Sequence, residues 1–133
     1  IRDRDYEAGI LSVSDWDRAL LCPMVDARRM EVYAQVFDAE GRPQNEVTAE
    51  VIDAGSFREF REQGRPFVIF GSGARKCAEV LAGAEFVEVA PSARGLARLA
   101  QQALDEGRTE DIAYFEPFYL KDFVVTTSKK SLF

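Results

Sequence analysis

A chain of 133 residues with 47% hydrophobic and 30% charged side chains has the size and composition of one globular domain. Its 17 basic and 23 acidic residues leave a net charge of −6, which repels a phosphate backbone and argues against autonomous nucleic-acid binding. Histidine is absent, which excludes Ser-His-Asp triads, Cys-His pairs, histidine-rich metal centres and imidazole acid–base chemistry.

Residues 1–20 read as a lead-in. The opening Ile1-Arg2-Asp3-Arg4-Asp5 has no apolar signal core and points to the cytoplasm rather than secretion. The lack of an initiator Met points to a trimmed chain. Ser14 and Asp17 form a Ser-x-x-Asp cap, so a short helix is expected near 15–20. Leu20 to Val25 is a short apolar run read as a strand, with Pro23 expected near its start or at an unpaired edge position because proline has no N–H to donate. Asp26-Ala27-Arg28-Arg29 makes a tight polar connection. Glu31 to Asp38 has the β-branched and aromatic content of a strand covered on both sides. After the turn cluster 39–43, residues 46–51 alternate as a half-exposed strand does. Three strands with short connections predict an antiparallel meander.

The period then changes. Ser56-Phe57-Arg58-Glu59 has the form of a capping box, Phe57 and Phe60 share a helical face, and Gly64 is the natural stop. Pro66 to Phe70 is continuously apolar, as a buried parallel strand is. Gly71-Ser72-Gly73 turns into a helix carrying Cys77, Val80 and Leu81, and Gly83 ends it. Phe86 to Val89 reads as another strand. Pro91-Ser92 opens a helix whose Leu96, Leu99, Ala100, Ala103 and Leu104 make one stripe, expected to face the core, and Gly107 closes it. The aromatic run Tyr114 to Leu120 is expected to seal the core as a final extended segment. No apolar run approaches the ~20 residues of a membrane span. The order β-β-β-α-β-α-β-α is that of a ribonuclease-H-like α/β domain, the half-unit of the actin and Hsp70 superfamily.

Four groupings could carry chemistry. A metal-dependent nuclease of this fold needs acids on the first strand, first helix and fourth strand. Asp26 and Glu59 or Glu62 supply two of these, but Phe67 to Phe70 supplies none, so Asp26 is expected to cap its turn and pair with Arg28 or Arg29. Gly71-Ser72-Gly73 before Arg75 and Lys76 invites a phosphate, yet it lacks the Walker spacing, and Lys76 stands where a dinucleotide fingerprint needs glycine. Arg28 and Arg29 in the hairpin are expected to serve structure or contact. Cys22 and Cys77, 22 and 77 being too far apart for a Cys-x-x-Cys pair, read as inert core thiols.

Cys22-Pro23-Met24-Val25-Asp26-Ala27-Arg28-Arg29-Met30-Glu31-Val32-Tyr33 resembles the D-A-R-x-x-E-V-Y motif of the TsaB (YeaZ) family. Phe70 to Cys77 resembles its G-x-G turn, Pro91-Ser92-Ala93 the opening of its last long helix, and Tyr114 to Val124 its closing E-P-x-Y-L segment. The resemblance covers roughly residues 20–124, with the motifs in order. It implies a non-catalytic member of the actin and Hsp70 superfamily, once grouped with the M22 glycoproteases. The implied role is scaffolding of the bacterial machinery that places threonylcarbamoyl on adenosine 37 of tRNA. The implied partners are a TsaD-like catalytic subunit and a TsaE-like ATPase, with no direct nucleic acid or membrane contact and no cofactor.

The family's first domain carries a D-T-A/S-T segment and a G-P-G-S-[FY]-T-G-[LI]-R motif, which do not occur here. The chain therefore resembles the second domain alone (21–133), with residues 1–20 as an inter-domain remnant. The resemblance implies that the family's dimer and TsaD contacts run mainly through that first domain, and no nucleotide or metal residue carries over because those positions belong to the part that does not occur here. The motif residues Asp26, Arg28, Arg29, Glu31, Tyr33, Gly71, Gly73, Glu116, Pro117 and Tyr119 are expected to have structural or contact roles. The alternatives are a divalent-metal hydrolase or nuclease, and a nucleotide-binding module using Gly71 to Gly73.

Overall fold

The computed structural model describes residues 15–121. A single 3-10 turn, Trp16–Arg18, precedes the sheet, and Ser14 of the expected cap lies outside the described residues. The elements that follow are β1 (Leu20–Asp26), β2 (Glu31–Ala34), β3 (Thr48–Val51), α1 (Arg58–Arg61), β4 (Phe67–Phe70), α2 (Ala74–Cys77), β5 (Ala84–Val87) and α3 (Ala93–Asp105). They build a five-stranded mixed sheet in the order β3-β2-β1-β4-β5. β1, β2 and β3 pair antiparallel, whereas β4 runs parallel to both β1 and β5.

β1 is the central strand, and Pro23 sits in its middle rather than at its start or at an edge. Its main chain alternates between neighbours. Leu20 donates its N–H to Pro66 O on the β4 side (2.8 Å), and Leu21 exchanges both bonds with Phe37 on the β2 side (2.8 Å each). By that alternation the missing N–H of Pro23 falls on the β2 side. The β1–β2 register pairs Met24 with Ala34 and resumes in step at Leu21 and Phe37, which places Pro23 opposite Gln35. The ladder is broken at that one position, and a central strand tolerates proline there. Asn45 covers the gap: its carbonyl accepts from Gln35 Nε2 (2.8 Å), and its side-chain oxygen accepts from Val36 N–H (2.7 Å).

One face of the sheet carries the main core. Leu20, Cys22 and Met24 of β1, Val32 and Ala34 of β2, and Phe67 and Ile69 of β4 point the same way, under Phe57, Ala74, Cys77 and Leu81. The period-2 alternation of each strand produces this directly. The opposite face is only partly covered, by a small cluster of Ala19, Val68 and Val87 with Trp16 and Phe70 against it. β2 is therefore not covered on both sides as its composition suggests; Val32 and Ala34 are buried while Glu31 and Tyr33 are half-buried. β4 is buried at Phe67, Val68 and Ile69, as its unbroken apolar run predicts.

The first helix departs from its capping-box signal. Phe57, in the left-handed region at φ 56°, occupies the N-cap position, and no side chain caps the helix. The Ser56 hydroxyl instead accepts from Asp53 N–H (3.1 Å), closing the turn before the helix. Glu50 on β3 lies beside this turn. Burial pushes its carboxyl above the ordinary glutamate range, Glu59 and Asp53 add repulsion, and the Ser56 hydroxyl partly offsets both. A carboxyl raised in the folded state costs stability as the pH climbs past its unfolded value. Glu50→Gln is therefore expected to raise the melting temperature at pH 7 and to change it little at pH 4, where both states hold the proton. Melting followed by circular dichroism reads this, and a lower melting temperature at pH 7 would contradict it.

Two further expectations are overturned. α3 forms over the span its stripe marks, with Ser92 Oγ accepting from Arg94 N–H (3.3 Å) and Gly107 at φ 68° beyond its end, but none of its residues is buried. Leu96, Leu99 and Leu104 are 57–64% exposed, so the stripe does not face the core. The aromatic segment does not seal the core either: Tyr114, Phe115, Phe118 and Tyr119 are 61–83% exposed. The period of a helix reports which side is apolar and not what covers it. No helix among the described residues is long and apolar enough to cross a membrane.

Candidate functional site

Four segments meet at the end of β1: the hairpin into β2, the Gly71-Ser72-Gly73 turn, the first turn of α2 and the close of the aromatic run. The hairpin turn is strained. Arg28 (φ 73°) and Arg29 (φ 46°) both lie in the left-handed region, which disfavours L residues by ~1–2 kcal/mol each. Glu31 N–H donates to Arg28 O (3.0 Å) and Ala27 N–H donates to Glu31 O (3.1 Å), so the hairpin holds them there. Asp26 assists, its Oδ1 accepting from Arg28 N–H (3.3 Å). Arg28→Gly is expected to stabilise the fold by up to ~1 kcal/mol, the left-handed cost relieved less the extra entropy glycine brings to the unfolded chain. Chemical denaturation measures this; a loss of stability would show that the arginine side chain holds the turn.

The ionic partner of Asp26 is not Arg28 or Arg29 but Lys76. The Lys76 ammonium donates to Asp26 Oδ1 and also to Glu31 O (2.7 Å), tying the start of α2 to both strands of the hairpin. That bond is the main reason the Asp26 carboxyl lies below the ordinary aspartate range. At the other side of the hairpin, Lys121 Nζ donates to both carboxylate oxygens of Glu31 (2.7 and 2.9 Å), which holds the Lys121 ammonium above its ordinary range. Along the sequence, Lys76 stands out only as a mismatch to a dinucleotide fingerprint and Lys121 only as one charge in a basic tail. What joins them to Asp26 and Glu31 is the parallel crossover and the return of the chain, which no local pattern encodes.

The two glycines of the turn are required by close packing. A Cβ on Gly71, at φ 101°, would lie 2.6 Å from Met24 O. One on Gly73 would lie 2.8 Å from Val32 Cγ1 and 3.1 Å from Asp26 N. The turn extends the β1–β4 ladder instead of standing open: Gly73 N–H donates to Met24 O (2.9 Å), and Asp26 N–H donates to Ser72 Oγ (3.1 Å). The Gly73 amide that a phosphate would use is thus engaged by a backbone carbonyl. α2 is four residues long and adds little dipole to the corner.

Above the hairpin, Val25, Tyr33 and Val47 on the less covered face and Phe118, Tyr119, Leu120 and Lys121 across from them line a shallow groove of about 380 Å³. The expected motif residues therefore divide. Asp26, Glu31, Gly71 and Gly73 meet at the corner, Tyr33 and Tyr119 line the groove, and Arg28 and Arg29 are exposed on the turn. Glu116 and Pro117 are exposed on the segment before the groove. Among the described residues no three His, Cys, Asp or Glu side chains gather as a metal would need, and Glu62, just past the end of α1, faces Arg58 (3.7 Å). Cys22 and Cys77 are buried and unlinked, and burial pushes both thiols up, which keeps them protonated and unreactive.

These features define an α/β domain on a five-stranded mixed sheet, with a cross-tied hairpin at the end of its central strand. Its fold is similar to that in the crystal structure of an uncharacterized protein with similarity to peptidase YeaZ from Pseudomonas aeruginosa, with a TM-score of 0.60 at 18% identity. The match covers 90% of this chain and 54% of the other, so the chain spans about half the length of that protein. No protein-family profile matches the sequence, and no curated protein matches it.

Proposed function

We propose that this chain is the second domain of a TsaB-like scaffold subunit, which supports but does not catalyse the transfer of threonylcarbamoyl to adenosine 37 of tRNA in the cytoplasm. The observation that carries this reading is the mixed sheet, three antiparallel strands followed by two parallel ones, whose likeness to a protein described as similar to YeaZ runs over 90% of the chain. The strand order β3-β2-β1-β4-β5 supports a ribonuclease-H-like half of an actin-superfamily body. The D-A-R-x-x-E-V-Y residues 26–33 support it further, since they form the cross-tied hairpin.

A non-catalytic role agrees with the corner's chemistry. Lys76 places a fixed ammonium against Asp26, the Gly73 amide is engaged, and both thiols are buried. The partners in this reading are a TsaD-like catalytic subunit and a TsaE-like ATPase, contacted mainly through a first domain. Deleting the gene is expected to lower threonylcarbamoyladenosine in bulk tRNA, read by mass spectrometry of nucleosides, and a copy supplied in trans to restore it. Undiminished modification would overturn the reading. Titration of the chain with ATP and magnesium is expected to release no heat, and micromolar binding would favour a nucleotide module. Metal-dependent RNA cleavage abolished by Asp26→Asn would overturn the non-catalytic role.

A further inference from the structure

We infer that the shallow groove above the β1–β2 hairpin and the two arginines at the hairpin tip form one docking surface for an acidic, extended segment of a partner protein. An apolar side chain of that segment enters the groove, and carboxylates further along it meet Arg28 and Arg29. This goes beyond the scaffold role and does not depend on it.

Charge singles out the hairpin. Each of its acids is neutralised from elsewhere in the chain, Asp26 by Lys76 and Glu31 by Lys121. Among the described residues no carboxylate pairs with the Arg28 or Arg29 side chain. Both arginines are exposed, and their charges stand uncompensated in a chain of net charge −6. Met30, the next residue, packs against the core and fixes the tip. Both arginines hold a left-handed backbone that glycine adopts at lower cost, so the turn alone gives no reason for them. A planar guanidinium matches a carboxylate through two parallel hydrogen bonds, which makes carboxylates the fitting partner. A continuous phosphate backbone fits less well, because the chain's excess negative charge acts on every phosphate, whereas a peptide can place its acids at the hairpin alone.

The groove adjoins this tip through direct contacts. Lys121, which lines it, reaches the Glu31 carboxylate, and Glu31 N–H donates to Arg28 O (3.0 Å). Val25, Tyr33 and Val47 line one side, and Phe118, Tyr119 and Leu120 the other. Its volume of about 380 Å³ lies at the small end of ligand pockets, ~300–1,000 Å³, and suits a side chain or two of a peptide. An apolar centre beside a charged rim is the ordinary anatomy of a contact surface. The strands set the spacing. Arg28 lies three residues beyond Val25, or ~10 Å of extended chain, so the guest needs its acids about three residues from its apolar anchor. They also set the polarity. Val25 pairs with Tyr33 and Tyr33 with Ala49, which leaves Val47 and the exposed Glu46 at the end away from the hairpin. The guest's acidic end therefore lies over the arginines and not over Glu46.

The probe is the synthetic peptide Ser-Phe-Ser-Thr-Asp-Asp-Ser, titrated into the isotope-labelled chain and followed by NMR. It is expected to shift the amide signals of Val25, Arg28, Arg29, Tyr33 and Val47 with a Kd below ~1 mM. The same peptide with Lys-Lys in place of Asp-Asp, or with Ala in place of Phe, is expected to bind at least ~tenfold more weakly. Arg28→Glu combined with Arg29→Glu is expected to reverse the preference between the aspartate and lysine peptides, with an unchanged circular dichroism spectrum. A purely structural role for the arginines gives no such reversal. Absence of any shift at millimolar peptide, shifts confined to other residues, or a double variant that still prefers aspartate overturns the inference. Tighter binding of decauridylate RNA than of the peptide, lost in the same double variant, also overturns it and assigns the arginines to phosphate.

Discussion

Phe67→Ala is expected to remove ~3–5 kcal/mol of stability, enough to unfold a marginal domain of this size at room temperature. Phe67 is 1% exposed and begins β4, the strand flanked on both sides by parallel neighbours. Its ring meets Phe57 at 5.8 Å between centroids in a tilted contact. Removing it opens a cavity between the sheet and Phe57, the residue that leads into α1. Urea denaturation followed by fluorescence or circular dichroism measures the loss. A cost below ~1.5 kcal/mol would mean that α1 collapses into the space, which would make it the most adaptable part of the core.

Gly71→Ala is expected to cost about as much, ~3 kcal/mol or more, although it adds a single methyl group. Two penalties combine. At φ 101° an L residue bears backbone strain of order 1–3 kcal/mol. The new Cβ also meets Met24 O at 2.6 Å, a backbone carbonyl that cannot swing aside without breaking the β1–β4 ladder. Gly83→Ala is the control, because Gly83 also has a positive φ (83°) but nothing lies within 4 Å of its added Cβ. Its expected cost is the strain alone, ~1–2 kcal/mol. Equal losses at the two sites would mean that the close approach of the turn to β1 carries no energy.

Most of the sheet was legible in the residues. The uniform apolar run at 66–70 marks a buried strand, which β4 is; the alternation at 46–51 marks a half-exposed strand, and β3, at the sheet edge, has its two middle residues half-buried and its two end residues exposed. What failed did so for identifiable reasons. Pro23 argues locally against a central strand, but its missing donor faces the one ladder position that the sheet leaves open. Ser56 has the spacing of a helix cap, yet Asp53 three residues earlier offers its amide first. α3 is legible as a helix because periodicity is local, and its exposure is not, because the period reports which side is apolar and not what lies against it. The same division holds at the site. The glycines announce a tight turn, while the reach of Lys76 to Asp26 and of Lys121 to Glu31 depends on strands paired across long stretches of chain.

The parallel pairing of β1 with β4 also bears on how the chain comes off the ribosome. β1, β2 and β3 zip together through neighbouring segments, but the β4 side of β1 must wait for Phe67 and its followers to be synthesised. At ~5–20 residues per second that delay lasts seconds, far longer than a hairpin takes to close. For that interval the nascent meander shows water a bare apolar flank and an unmet row of amides.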